Sequence, residues 1–314
     1  MLYRVVQAAW ATVKARLDAV GRPMPRFCVR EVDAFLRCGM LAFGFARVWC
    51  EGCGKDDVVA FSCKGRGFCP SCGARRMADT ALWLVDRVIP DEAPVRQWVL
   101  SLPYRLRLLC AYDPDACALV RRVLMRAVSG FYERRLRRLG KPRPRTGAVA
   151  FVQRFDSGLR LNVHFHVLWL DGAYSWQPGR RAEWCEHEGL CDADVARLVQ
   201  RVRDRVEKAL RRAGKWWDGD DAADSGDAVD EEQQLLLALG SGAVAGRAVL
   251  GERTGEGDAR VGRGTRAEPL VKGPLCADYD GFSLHAGVRV EAGDRRRLEH
   301  LVSVRRGRLP THAA

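Results

Sequence analysis

Apolar side chains recur at intervals of three and four in several stretches of this chain. Val5, Val6, Ala9, Val13, Leu17 and Val20 share a face, which predicts an opening amphipathic helix stopped at Gly21-Arg22-Pro23. Short helices are predicted over 26–40, ended near Gly39, and over 74–88, closed by Pro90. Asp113-Pro114 has the form of a helix start, and Leu119, Val123, Ala127 and Phe131 then line one face of a helix reaching about residue 139. Over 192–213, Val195, Leu198, Val199, Val202, Val206 and Leu210 point inward while arginine and lysine point outward. Elsewhere the text reads as strands: 95–102, 148–155, 159–170 and 284–291. Asp156-Ser157-Gly158 between the middle two predicts a hairpin. From 43 to 73 the chain is rich in glycine and cysteine with short apolar runs, the pattern of small metal-stapled hairpins. Residues 218–270, first acidic and then Gly/Arg-rich, predict a mobile insertion around one short helix at 231–239.

Composition narrows the function. The 314 residues are 47% hydrophobic and 29% charged, as in soluble globular proteins. A net charge of +13 favours a polyanion, with nucleic acid the common partner and an anionic membrane surface the rival. No apolar run is long enough to span a bilayer, and the N-terminus lacks the form of a signal peptide. A cytoplasmic location follows as an expectation, with the twelve cysteines reduced.

Six of those cysteines crowd between Cys38 and Cys72. Cys50-Glu51-Gly52-Cys53 and Cys69-Pro70-Ser71-Cys72 form two Cys-x-x-Cys knuckles at zinc-ribbon spacing. Each turn can aim two thiolates at one ion. The expectation is a closed, structural zinc site on Cys50, Cys53, Cys69 and Cys72, against the plainer reading of small buried cysteines. Cys38 and Cys63 read as core residues or alternative ligands. Arg75 and Arg76 follow the second knuckle as candidate nucleic-acid contacts.

A second feature is the apolar run from Leu161 to Leu170, interrupted by His164-Phe165-His166. Strand alternation puts both imidazoles on one face, where they could chelate a divalent cation. Paired structural histidines are the plainer reading. Gln153, on the preceding strand, is a candidate third ligand, and Asp156, Asn162 and Asp171 are near in sequence. Oxygen-rich ligation would favour magnesium or manganese, and imidazole alone zinc or another transition metal. Arg134, Arg135, Arg137, Arg138, Lys141, Arg143 and Arg145 form a basic run just ahead of this hairpin and are candidate DNA contacts. Arg201, Arg203, Arg205, Lys208, Arg211, Arg212 and Lys215, before Trp216-Trp217, fit either a DNA face or a solvated helix.

His164-Phe165-His166 resembles the signature of HUH endonucleases, and the text from Phe61 to Arg76 resembles the zinc-binding domain of rolling-circle transposases of the insertion-sequence ninety-one group. Phe151 to Gly172 and Asp280 to Ala286 resemble the catalytic hairpin and a downstream strand of the same group. The resemblance implies an α+β protein: a helical zinc-ribbon module over 1–92, then an antiparallel sheet flanked by helices over 93–217 and 271–301. It implies single-strand DNA nicking at element ends by a tyrosine, aided by magnesium or manganese on the two histidines. The tyrosine-bearing text departs from the family at one place. Leu298-Glu299-His300-Leu301 fits, whereas Val302-Ser303-Val304-Arg305-Arg306 does not, and 302–314 holds no tyrosine. A one-base slip in the gene near codon 302 would read Cys-Arg-Tyr in another frame. The expectation is a transposase by ancestry that binds DNA without the nucleophile. The alternatives are a zinc-ribbon nucleic-acid-binding protein with no nuclease activity and a phosphodiesterase that uses water.

Overall fold

A computed structural model describes residues 2–21, 23–65, 69–155, 161–187, 189–216 and 268–305. The predicted turn at Asp156-Ser157-Gly158, the helix at 231–239 and residues 306–314 lie outside the described residues. The chain divides into two compact units, Met1–Trp83 and Leu84–Ala314.

The first unit contains α1 (Leu2–Ala19), α2 (Arg26–Arg37), a 3-10 turn at Leu41–Phe43, a hairpin of β1 (Phe45–Trp49) and β2 (Asp56–Ala60), and α3 (Pro70–Trp83). Its apolar faces are thinly covered. Helix α1 buries no residue, and α2 buries only Phe35, which meets the edge of Tyr3 at 5.8 Å. Gly39 takes φ of +76°, the left-handed stop that glycine allows after a helix. Its amide donates to the carbonyl of Phe61 at 3.1 Å, so the residues leaving α2 and β2 are joined.

After a π turn at Leu84–Val88, the second unit runs β3 (Val95–Ser101), α4 (Tyr104–Tyr112), α5 (Pro114–Arg138), β4 (Ala148–Phe155), β5 (Leu161–Leu170), β6 (Gly172–Ser175), β7 (Glu183–Glu186), α6 (Asp192–Arg212), β8 (Leu270–Gly273), β9 (Cys276–Tyr279), β10 (Phe282–Val290) and α7 (Arg295–Arg305). Six strands form one antiparallel sheet in the order β4-β5-β3-β10-β9-β8. Helix α5 starts as its sequence demands: the Asp113 side chain accepts from the amides of Asp115 and Ala116 at 2.9 and 3.0 Å.

Alternation divides the sheet. Trp98, Leu100, Val163, Phe165 and Val167 pack on Val120, Leu124 and Val128 of α5 and on Val195, Val199, Val202 and Val206 of α6, all fully buried. On α5, Ala127 of the expected stripe is fully buried, while Leu119, Val123 and Phe131 are half-buried; Val120, Leu124 and Val128, each one residue on from a stripe position, are buried. The helix packs on both sheet and α6, so its covered face is wider than a single stripe.

Just past β5, the fully buried Asp171 draws three elements together. Its carboxylate accepts from Arg96 at 2.9 and 2.7 Å, from Arg289 at 2.8 Å and from the Tyr132 hydroxyl at 2.8 Å. Burial, and then the Asp171 charge, hold the Tyr132 phenol well above its ordinary pKa.

Candidate metal centres

The Sγ atoms of Cys38, Cys63, Cys69 and Cys72 all lie within 4.8 Å of one another. Cys72 is 3.6 Å from Cys38 and 3.5 Å from Cys63, and Cys69 is 3.6 Å from Cys38. A zinc ion with bonds of about 2.3 Å needs tetrahedral edges of about 3.8 Å, so the thiols stand nearly where the metal would hold them. Backbone amides turn toward the sulfurs: Cys63 N–H to Cys38 Sγ and Gly65 N–H to Cys63 Sγ, both at 3.3 Å. A Cβ at Gly65 would stand 3.3 Å from Cys63 Sγ and 3.2 Å from Glu31 Oε2, so the loop is shaped around the sulfurs. Burial pushes the Cys63 thiol up to about 12. Burial acts the same way on Cys72, but hydrogen bonds from Cys63, Cys38 and Cys69 outweigh it and bring that thiol down to about 7.

This corrects half of the expected quartet. Cys69 and Cys72 are in it, but Cys38 and Cys63 complete it rather than Cys50 and Cys53. The pairing of β1 with β2, from Phe45↔Ala60 to Trp49↔Asp56, is the reason. It brings the residues flanking the hairpin together and sends Cys50 and Cys53 to its exposed tip. Five strand residues at about 3.4 Å each put that tip on the order of 15 Å from the base. Arg76 donates to the Lys64 carbonyl at 3.1 Å and so braces the same loop, while Arg75 is exposed.

The two histidines of β5 lie side by side. Their ring centroids are 4.8 Å apart, and both residues are buried on the sheet face away from α5 and α6. His164 donates from Nδ1 to the carbonyl of Asn162 at 2.5 Å, which leaves the lone pair on Nε2. Gln97, fully buried on β3, reaches His166 Nδ1 at 3.2 Å. The contact is made by the Gln97 amide nitrogen, which donates to Nδ1 and holds the His166 ring in place. Gln153 is the cross-strand partner of His164 on one side and Ser101 on the other, so all three share the face. Two imidazoles and an amide oxygen suit manganese or a later transition metal better than magnesium. Sequence reasoning missed Gln97, which sits in an apolar strand with no motif around it, and His285, whose partner Val99 pairs in turn with His166.

Helix α7 packs at the Val95 end of β3. Leu298, Val95 and Val290 line one small cavity, and Val95 shares the histidine side of β3. The helix runs through Arg305, and its sequence, RRRLEHLVSVR, has no tyrosine. Tyr132 is buried against Asp171, Tyr174 donates to Glu92 at 2.6 Å, and Tyr3 belongs to the first unit, donating to the Leu36 carbonyl at 3.2 Å.

The basic run before the hairpin is dispersed. Arg137 and Arg145 approach Glu133 at 3.2 and 3.7 Å, Lys141 approaches Glu183 at 3.7 Å, and Arg143 lies over Trp176 at 5.3 Å. Arg134, Arg135 and Arg138 belong to a cavity between α5 and α6. On α6, Arg203 pairs with Asp280 at 2.7 Å and Arg211 with Glu207 at 2.9 Å, and Lys215 pairs with Asp113. Arg203, Arg211 and Lys215 are therefore held in internal pairs.

A cysteine-clamped module followed by a helix-flanked antiparallel sheet defines a zinc-binding protein of mixed helix and strand. Two family models match it: "Transposase zinc-binding domain" over residues 5–102 and "Putative transposase" over residues 147–306. The chain belongs to this transposase family, of the insertion-sequence ninety-one type. No curated protein and no solved structure matches it. Among the described residues, no helix is long and apolar enough to cross a membrane.

Proposed function

We propose that this transposase binds single-stranded DNA at element ends and seats a divalent cation on His164 and His166, with Gln153 as third ligand, but does not form a covalent link to the strand. The observation that carries the reading is the pair of buried imidazoles on one sheet face, each oriented through Nδ1 by a neighbour. A cation there, for which this ligand set favours manganese over magnesium, would neutralise charge on a phosphodiester oxygen. His164 and His166 hold the ion and Gln97 keeps the second ring in register. Arg75, Arg143 and Arg145 are candidate contacts to the DNA backbone. Rolling-circle nicking is the ancestral activity, and the tyrosine-free α7 supports its loss in this copy.

Incubation with single-stranded DNA carrying element ends, with manganese, tests this. Retention of DNA with neither a covalent protein–DNA adduct nor cleavage is expected. An adduct overturns the loss of the nucleophile, and metal-dependent cleavage without adduct points to water as the nucleophile. A protein that binds no DNA sinks the reading altogether.

A further inference from the structure

The histidine face is one side of the sheet. On the other, α5 and α6 pack against each other, and between them lies a cavity of about 220 Å³. Arg134, Arg135 and Arg138 of α5 and Arg197 and Arg201 of α6 line it, with Asp194 the single acid. Arg134 and Arg138, like Arg197 and Arg201, are one helical turn apart, so each helix presents a pair to the same space. Asp194 pairs with Arg135 at 3.1 Å and Arg197 at 2.7 Å. Among the described residues, no ion pair forms at Arg134, Arg138 or Arg201.

Such an arrangement works against folding unless something compensates. Burial, and then the charges of Arg201, Arg205, Arg137 and Arg138, pull the Arg134 guanidinium below its ordinary pKa. The end of that side chain also lies against Gly130. Gly130 interrupts a helix where alanine would be favoured, and a Cβ there would stand 2.7 Å from Arg134 Nη1. Guanidinium forks converging on a confined space are suited to the oxygens of phosphate.

We propose that the α5–α6 arginine cavity is a second nucleic-acid site, which grips phosphodiester groups of a segment other than the one at the histidines. The inference rests on the reading that the protein binds DNA. A whole layer of sheet and helix, on the order of 10 Å thick, separates the two sites, so one short strand does not reach both.

Binding of a fluorescent single-stranded oligonucleotide, measured over a range of salt, tests it. The variants are Arg134→Gln/Arg201→Gln, Gly130→Ala, and His164→Ala/His166→Ala, each also measured for manganese binding and thermal stability. The double arginine variant should lose on the order of tenfold in affinity, with the salt slope smaller by about 1.4, the share of two phosphates on a single strand. Gly130→Ala should fold at least as stably yet lose affinity, because it displaces Arg134. Both should keep wild-type manganese binding, which the histidine variant loses. Unchanged affinity and slope in both arginine-cavity variants overturn the proposal and leave the functional reading standing. Pyrophosphate that binds at the cavity without displacing the oligonucleotide also overturns it. A wild-type protein with no oligonucleotide affinity overturns both.

Discussion

The two units solve the same problem in opposite ways. Among the described residues of Met1–Trp83, only Phe35, Cys69 and Ala81 are buried, and one of these is a member of the thiol cluster. In Leu84–Ala314, Trp98, Phe165, Trp169, Tyr132 and the valines of α6 are sealed in a continuous core. A unit with so little apolar burial does not offset the entropy of ordering its chain. The free energy of thiolate coordination then stands in for the core. The sheet unit needs no such clamp.

The largest expected effect follows from that contrast. Removing zinc with a chelator, or Cys38→Ser or Cys63→Ser, should unfold the first unit while the second keeps its own thermal transition. The effect should reach several kcal/mol, given the strength of structural zinc sites. Cys50→Ser and Cys53→Ser should retain the metal, measured as zinc per chain. Loss of zinc in these two and not in the first pair would restore the expected quartet.

Next in size is Asp171→Asn. It leaves Arg96 and Arg289 facing a neutral group in a buried site, and should cost the second unit about 3–5 kcal/mol in denaturant unfolding. The first unit should be unaffected. A cost below about 1 kcal/mol would mean that the core tolerates the unpaired arginines.

The smallest effect is one of pH. His187 is buried against Phe131 and Tyr132, and neither ring nitrogen has a hydrogen-bond partner among the described residues. Burial lowers its pKa in the folded chain. The unfolded state therefore binds the proton more readily, so this contribution is intact above about pH 6.5 and is lost as pH falls below it. The slope is at most about 1.4 kcal/mol per pH unit. His187→Phe should flatten the stability of the second unit between pH 7 and 5.5. An unaltered slope would assign the dependence to another group.

What could be read from the sequence tracks how far each signal reaches. Helix α6 shows six apolar positions in step with its turns, and the start of α5 is written in Asp113-Pro114, so both were foreseeable. Strands β6 to β9 have four residues each, too few for a period to emerge, and α4 has apolar residues on every side. The His164–His166 face follows from alternation alone. The thiol quartet does not, because spacing along the chain cannot tell which cysteines a hairpin brings together. Gln97, Asp171 and the convergence of Arg134 with Arg201 are products of register and packing, and leave no local mark.

The central claim is that the two imidazoles of β5 hold a divalent cation while the cysteine cluster holds a different one. Manganese titration of the zinc-loaded protein, followed by calorimetry, tests it most directly when paired with His164→Ala/His166→Ala. The account predicts one manganese bound by the wild type and none by the double variant, with zinc content the same in both. Equal manganese binding in the two proteins would contradict it.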